Sequence, residues 1–194
     1  VTVNFGDFEV VIPSLDAVFL EEDGTSYVNC EEGFIKKDGI CSDIRISVLK
    51  TERYDTGQKK SEANYKDSKL DGRKTFWYKS GQIKSEANYK NGKLDGKSAK
   101  WHESGQKESE RNYIRGDLEG IQTSWYENGQ IKTEENRKVG KLYGKRTNWY
   151  KDGQIMSEEN YKDGNKEGKY TTWYEDGQIK AERNYKDGEL IVTE

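Results

Sequence analysis

Glutamates at a regular spacing are the residues in this 194-residue chain that could most readily do chemistry. Six of them lie 24 residues apart: Glu62, Glu86, Glu110, Glu134, Glu158 and Glu182. Two carboxylates act as a catalytic pair only when their environments differ, so that one stays protonated while the other is charged. A repeat gives all six the same surroundings. We therefore expect each Glu to pair with a Lys across neighbouring strands and to stay solvated.

The only histidine, His102, occupies a place that is tyrosine in other repeats. We interpret it as a substituted tyrosine and not as a catalytic base or a ligand. The sequence contains no phosphate-binding loop, zinc-ligand spacing or nucleophile elbow. We therefore predict no enzyme activity, no cofactor and no metal site.

The regular spacing extends beyond the glutamates, and an internal period of this length is typical of repeat architectures. The dipeptide Gly-Gln recurs at Gly57, Gly81, Gly105, Gly129, Gly153 and Gly177. All five tryptophans share one place in the repeat: Trp77, Trp101, Trp125, Trp149 and Trp173. Charged residues make up 36% of the chain and hydrophobic residues 31%, which alone would favour disorder. Large aromatic side chains can instead hold together a stack in which each unit contacts only its neighbours.

Each repeat contains two strand-like runs and two turns. The run I-K-S-E-x-N-Y alternates, and the run K-x-T-x-W-Y is β-branched and aromatic, which is typical of short strands. The residues between the runs, such as K-D-G, tolerate the positive φ of a tight reversal. We predict strands near residues 58–65 and 73–78 and at every 24-residue translation. The predicted fold is all-β, an elongated single-layer antiparallel meander of six hairpin repeats.

Residues 1–46 differ from the repeats and contain the only proline, Pro13, together with both cysteines. Their net charge is −7, whereas the whole chain carries −3. We predict two units: a small, acidic, β-rich capping segment at residues 1–46, packed on the first strand, and a repeat array at residues 47–194.

The two cysteines, Cys30 and Cys41, leave two interpretations open. In an exported protein they would form a disulfide that closes a loop of about 12 residues and contributes ~3 kcal/mol. In the cytosol they would be two thiols. The sequence begins at Val1 and has a single methionine, Met156, which fits removal of a signal peptide or trimming of the chain. We favour export to the periplasm or the cell surface.

Several segments resemble a known family. The units NYKNGKLDGKSAKWHESG and NYKDGNKEGKYTTWYEDG resemble MORN (membrane occupation and recognition nexus) repeats in their spacing of aromatic residues and glycines. The segments WYENGQIKTEEN and WYEDGQIKAERNYKDG are similar to the bacterial YwqK-type variant found in antitoxin-like proteins. The resemblance covers about residues 50–192. It implies a stack of hairpins with a binding or scaffolding role.

Charge excludes two classes of partner. The array carries only a small positive charge and nearly every Lys has an acidic neighbour, so we expect no nucleic-acid binding. Clusters of unopposed Lys or Arg that would attract an anionic membrane are missing, so we do not expect membrane binding. Two hypotheses remain. One is a protein that binds another protein, such as an immunity or antitoxin protein that occludes a toxin. The other is a structural or scaffolding protein of the cell envelope or surface.

A candidate partner-binding surface follows from strand alternation, which places Trp and the following Tyr on opposite faces. We assign the invariant Trp to packing and the next column to the partner: Tyr78, His102, Tyr126, Tyr150 and Tyr174. Departures from the repeat add Arg137, which replaces Tyr, and Tyr143, which replaces Asp or Glu. Ile114 and Ile121 likewise replace Lys. We interpret the Asn column (Asn64, Asn88, Asn112, Asn136, Asn160 and Asn184) as side chains that satisfy backbone groups near the turns.

Overall fold

A computed structural model describes residues 2–5, 8–11, 34–37, 40–43 and 47–192. All regular elements in these ranges are β-strands. The N-terminal strands are β1 (Thr2–Phe5), β2 (Phe8–Val11), β3 (Phe34–Lys37) and β4 (Ile40–Asp43). Those that follow are β5 (Ser47–Arg53), β6 (Lys59–Lys66), β7 (Lys69–Trp77), β8 (Ile83–Lys90), β9 (Lys93–Trp101), β10 (Lys107–Ile114), β11 (Asp117–Leu118), β12 (Gly120–Trp125), β13 (Ile131–Lys138), β14 (Lys141–Trp149), β15 (Ile155–Lys162), β16 (Asn165–Lys166), β17 (Gly168–Trp173), β18 (Ile179–Lys186) and β19 (Glu189–Leu190).

The strands from β5 onward form an antiparallel meander in which long strands pair with the next along the chain. The short strands interrupt this order only locally, since β11 and β12 both pair with β10, and β16 and β17 both pair with β15. The sheet has 17 strands in all, including β1 and β2. The predicted strands at residues 58–65 and 73–78 correspond to β6 and β7. The predicted all-β meander of six hairpin repeats is therefore confirmed.

Two-residue turns join β6 to β7 and the corresponding strands of later repeats, and they form what we call the turn edge. In the second repeat this turn is Asn91-Gly92, with φ of 51° and 80°. Positive φ at both positions gives a turn whose twist matches that of the flanking strands. The Gly92 N–H donates to the carbonyl oxygen of Leu70, 2.7 Å away. The turns of the second to the sixth repeat are each hydrogen-bonded to the preceding repeat in this way.

Longer turns at the other end of the strands form what we call the tyrosine edge. They begin at Tyr54, Tyr78, His102, Tyr126, Tyr150 and Tyr174. In the second of them the Tyr78 N–H donates to the Gln82 carbonyl oxygen at 2.8 Å, and the Gly81 N–H donates to the Tyr78 carbonyl oxygen at 3.0 Å. The same pair of bonds recurs in every repeat, so both edges are regular along the sheet.

The sheet has a single layer, and both of its faces meet solvent. Among the described residues no large side chain is fully buried, and Ala63 is the only buried hydrophobic residue. The other buried residues are polar: Ser61, Thr75, Ser109, Gln122, Thr147, Ser157, Glu159 and Thr171. Because each unit contacts only its neighbours, the backbone ladder and half-buried side chains hold the array together without a deep core.

The N-terminal strands join the array at one point. β1 pairs with β2, and β2 pairs with β5 with Val10 opposite Val48. β3 and β4 form a separate hairpin. Cys30 lies outside the described residues, as does Pro13, so the disulfide between Cys30 and Cys41 stays a prediction. The division of the chain at residue 46 also stays a prediction.

Candidate functional site

Hydrogen bonds link the tyrosine edge from one repeat to the next. The hydroxyl of Tyr78 donates to the carbonyl oxygen of Trp101, 2.8 Å away. The same bond joins Tyr54 to Trp77, Tyr126 to Trp149 and Tyr150 to Trp173. These tyrosines follow the ends of the strands and are half-buried, so the alternation of faces within a strand does not govern where they point. The tyrosine column therefore has a structural role, and its binding role stays a prediction.

Lysines cover the rings of this edge. Lys84 Nζ lies 5.4 Å from the ring centre of Tyr78, and Lys132 Nζ lies 5.6 Å from that of Tyr126. Both distances are within the range of a cation–π contact. Burial, followed by the negative charges of Glu108 and Glu103, raises the pKa of Tyr78. The hydroxyl therefore remains protonated and able to donate at neutral pH.

His102 interrupts the tyrosine column. Its Nε2 is buried and has no hydrogen-bond partner among the described residues. Its Nδ1 lies 3.9 Å from the Glu127 carboxylate, beyond hydrogen-bond distance. The arrangement is that of a shorter ring in a place that other repeats fill with tyrosine.

The tryptophan, glutamate and asparagine columns share one face, which we call the tryptophan face. Thr75 lies opposite Glu86 in the ladder, and Trp77 is two residues further along the same strand. Directly opposed residues, and residues two apart in a strand, lie on the same face. The Trp rings are half-buried, and Lys59 Nζ lies 5.6 Å from the ring centre of Trp77.

Cations pair with five of the six repeated glutamates. Arg73 lies 3.6 Å from Glu86 and Lys169 lies 2.5 Å from Glu182, in both cases across strands. Lys145 pairs with Glu158 in the same way, whereas Glu62 and Glu110 pair with Lys59 and Lys107 of their own strands. The expected pairing across strands with Lys is therefore confirmed for Glu158 and Glu182, and for Glu86 with Arg. It is wrong for Glu62 and Glu110, and Glu134 has no ion pair within the array that the structure describes.

The asparagine column behaves as predicted at the beginning of the array. Asn64 Nδ2 donates to the Arg73 carbonyl oxygen and Asn88 Nδ2 to the Lys97 carbonyl oxygen, each at 3.0 Å. Opposite Asn64 lies Gly72, with a φ of +102°. A Cβ at this glycine would come within 3.2 Å of Asn64 Cβ, so the close approach as well as the backbone conformation favours glycine.

The opposite face carries a network of charges that sequence reasoning missed. Arg137 binds Glu135 at 2.7 Å, and Lys166 binds Glu159 at 3.0 Å. Arg146 lies between the two carboxylates; its Nε is 3.4 Å from Glu135 but is directed too poorly for a hydrogen bond. Glu159 is only 6% exposed. The signal that could have revealed the network is that glutamates replace Ala63 and Ala87 of the first two repeats.

Ion pairing affects proton binding in this network. Burial opposes the charge on Lys166, but its hydrogen bond to Glu159 and the attraction of that carboxylate outweigh burial, so the pKa of Lys166 is raised. Burial, followed by a hydrogen bond to Glu159, raises the pKa of Tyr161. Arg137 is thus part of a structural network of paired charges, and its predicted contact with a partner stays untested.

A second ladder runs along the turn edge. The Asp71 carboxylate accepts a hydrogen bond from the backbone N–H of Asn91 at 3.1 Å, and the Asp95 carboxylate accepts one from the backbone N–H of Arg115 at 3.2 Å. Glu119 and Glu167 do the same for Val139 and Asp187. Tyr143 occupies this column in the fourth repeat and has no carboxylate to accept from the next turn. Its ring is exposed, with Lys138 Nζ 5.3 Å from the ring centre.

The predicted partner residues therefore lie in three places. Tyr78, His102, Tyr126, Tyr150 and Tyr174 line the tyrosine edge, Arg137 lies on the opposite face, and Tyr143 lies near the turn edge. The part of the chain that the structure describes has no group of three or more His, Cys, Asp or Glu residues able to hold a metal ion. It also has no helix long and apolar enough to cross a membrane.

Comparison with known families identifies the repeats. The MORN repeat variant matches residues 49–67, 70–91, 94–115, 118–138, 142–163 and 166–187, and these six segments correspond to the six hairpins. A comparison with curated proteins found no match. MORN repeats are generally modules that bind proteins or membranes. With more than half of its residues matched in register, the chain belongs to the MORN repeat variant family.

Proposed function

We propose that this chain is a non-enzymatic module that binds another protein. The observation that carries the proposal is the open sheet, which has no large side chain fully buried among the described residues and presents two faces to solvent. Half-exposed aromatic rings beside polar side chains provide contact area at a low cost in conformational entropy. Because the backbone ladder holds these rings in fixed positions, a partner would meet a preorganised surface.

The specific form that we propose is an immunity or antitoxin protein that occludes a toxin, in line with the YwqK-type resemblance. A long, rigid face suits occlusion, since it can cover an active site without entering it. Two cysteines, Cys30 and Cys41, in a chain without other cysteines would form a disulfide in an oxidising compartment, which supports export to the periplasm or cell surface. A scaffolding role in the cell envelope is the alternative, and the regular hydrogen bonds along both edges favour it.

Tyr174 provides the cleanest test of the tyrosine edge as a binding surface. It is exposed, and no tryptophan carbonyl of a following repeat is available within residues 47–192. Tyr174→Ala should therefore leave the fold intact while weakening partner binding by about 1 kcal/mol or more, as expected for an aromatic contact residue. Tyr126→Ala is a poor substitute because its hydroxyl binds the Trp149 carbonyl oxygen.

The function is tested by capture from the organism that produces the protein, with the whole chain immobilised. We expect one protein to be retained at a one-to-one ratio. If that protein arrests growth when produced alone and growth returns when this chain is produced with it, the immunity role is supported. A retained partner that is harmless alone would instead favour the scaffold. Failure to retain any protein would contradict protein binding itself.

A further inference from the structure

Four residues in the third and fourth repeats replace polar side chains with apolar ones. Ile114, Ile121, Val139 and Tyr143 are exposed by 51%, 63%, 67% and 42%. The residues at the same places one repeat earlier are Lys90, Lys97, Arg115 and Glu119, and those two repeats earlier are Lys66, Arg73, Asn91 and Asp95. We call these four residues the apolar patch.

The four residues of the apolar patch lie on neighbouring strands and turns near the turn edge. Ile121 lies opposite Asn136, a member of the asparagine column on that face. The Val139 N–H donates to the carboxylate of Glu119, two residues before Ile121, at 2.8 Å. Lys138, which precedes Val139, reaches over the ring of Tyr143. Ile114 lies opposite Asp117, in the hairpin that also contains Ile121.

These substitutions remove contacts that the other repeats make. Tyr143 takes the place of a carboxylate that would bind the next turn, as Glu119 does for Val139. Ile121 takes the place of the cation that pairs across the strands, as Arg73 does with Glu86. Both Ile121 and Tyr143 are exposed residues, so burial within the chain compensates only in part for the lost contacts.

The loss at Ile121 leaves a charge beside the patch. Glu134 is exposed, and it lies opposite Thr123, two residues from Ile121. It is the one member of its column without an ion pair in the array that the structure describes. A partner that brought a cation to Glu134 would restore the pairing found in the other repeats.

We propose that the apolar patch docks a protein segment that presents an aliphatic or aromatic side chain next to a Lys or Arg. The apolar side chain covers Ile121 and Tyr143, and the cation pairs with Glu134. This inference rests on the proposed protein-binding function and names the surface and the chemistry of its partner. The same acidic group disfavours an anionic membrane as the occupant.

Two variants make a matched test, because each introduces a residue that other repeats already carry at the same position. Ile121→Lys adds the cation found at Lys97, Lys145 and Lys169. Ile179→Lys is the control on the same face; its position is lysine at Lys59 and Lys107, and Ile179 is equally open to solvent. Both proteins should fold as the wild type does.

The probe is a library of random 12-residue peptides displayed on phage and selected on the immobilised whole chain. We expect enrichment of peptides that combine Lys or Arg with Leu, Ile, Met or aromatic residues. Their affinity should fall about tenfold or more with Ile121→Lys and stay unchanged with Ile179→Lys. Absence of such enrichment, or equal binding to both variants, would overturn the proposal.

Two further experiments distinguish a membrane from a protein segment as the occupant of the patch, and failure of the patch from failure of protein binding in general. Sedimentation with phosphatidylserine-containing vesicles should show no binding; binding that Ile114→Lys or Tyr143→Glu weakens would overturn the docking of a protein segment. The protein captured from the source organism is then tested on the same variants. If it binds Ile121→Lys as tightly as wild type, the patch is refuted while protein binding stands.

Discussion

The two edges of the sheet are built on the same principle but from different groups. At the tyrosine edge a hydroxyl donates to the tryptophan carbonyl oxygen of the next repeat, as from Tyr78 to Trp101. At the turn edge a carboxylate accepts from a backbone N–H of the next turn, as Asp71 does from Asn91. Both side chains are half-buried, but the tyrosine hydrogen bond is part-buried whereas the carboxylate hydrogen bond is exposed. One substitution interrupts each ladder.

The interruptions have different consequences. At the tyrosine edge, His102 leaves a buried nitrogen without a hydrogen-bond partner among the described residues. At the turn edge, the ring of Tyr143 is exposed, and the ammonium group of Lys138 lies over it. A buried unpaired group costs stability, whereas an exposed aromatic ring is free to contact another molecule. The comparison therefore separates a structural defect from a candidate binding residue.

Alkaline pH should have the largest effect on this comparison, because it removes the proton that the Tyr78 hydroxyl donates to the next repeat at the tyrosine edge. Burial raises the pKa of Tyr78 in the folded chain, and it also raises that of Tyr89, which lies at the turn-edge end of β8. Because the folded-state pKa of each tyrosine lies above the unfolded value of about 10, the folded chain holds the hydroxyl proton more tightly than the unfolded chain does. The stabilisation from the protonated hydroxyl is therefore complete below about pH 10. It is lost as the pH rises through the folded pKa. The urea midpoint should fall over this range.

Tyr78→Phe is the control, because lysines also lose their charge at alkaline pH. The variant removes one titrating hydroxyl and leaves the lysines unchanged, so its urea midpoint should depend less on pH than that of the wild type. Identical pH dependence of the two proteins would show that the tyrosine hydroxyl does not contribute.

Removing one hydroxyl at neutral pH should have a smaller effect. Tyr126→Phe keeps the ring but leaves the Trp149 carbonyl oxygen without its donor, which should lower the free energy of unfolding by ~1 kcal/mol. Tyr174→Phe is the matched control, and we expect no measurable change. Equal losses in the two variants, measured by urea unfolding, would contradict the hydrogen-bonded ladder.

Repairing the interrupted ladder should raise stability by a similar amount. His102→Tyr supplies the hydroxyl that four other repeats direct to the next tryptophan, here Trp125, and should add ~1 kcal/mol to the free energy of unfolding. His102→Phe supplies the ring alone and should add less. A Tyr variant no more stable than the Phe variant would show that the hydroxyl fails to reach the carbonyl.

The smallest effect is expected at the turn edge. Tyr143→Glu restores an acceptor for the Asp163 N–H and should add ~0.5 kcal/mol, since the bond is near solvent. Hydrogen exchange of the Asp163 amide should slow in Tyr143→Glu and not in Tyr143→Ala. If Tyr143→Glu is more stable than the wild type but binds the partner less tightly, the native Tyr143 lowers stability in favour of binding. A lower stability than that of Tyr143→Ala would contradict the ladder.

Most of the fold was predictable because it depends on local pattern. The alternation of apolar and polar residues and the turn dipeptides specify strands of known length, and a repeat turns one hairpin into six. The candidate site was predictable only in part. Tyr143 stood out as a departure from the repeat, but the role of Tyr78 did not, because its position after the strand depends on the path of the turn.

The charged network on the opposite face could likewise not be predicted from the sequence. Glu135, Arg146 and Glu159 come from three different strands, and their contacts depend on a register set by the turns and by irregularities in the ladder. By itself, the sequence determined the period, the strands, the turns and the family. Tertiary structure alone decided which tyrosine hydroxyls are used between repeats, which carboxylates are paired, and that Glu134 has no ion pair among the described residues. Each tyrosine hydroxyl and its acceptor are 23 residues apart, and the charges around Arg146 come from neighbouring strands, so their approach depends on how the strands and hairpins stack.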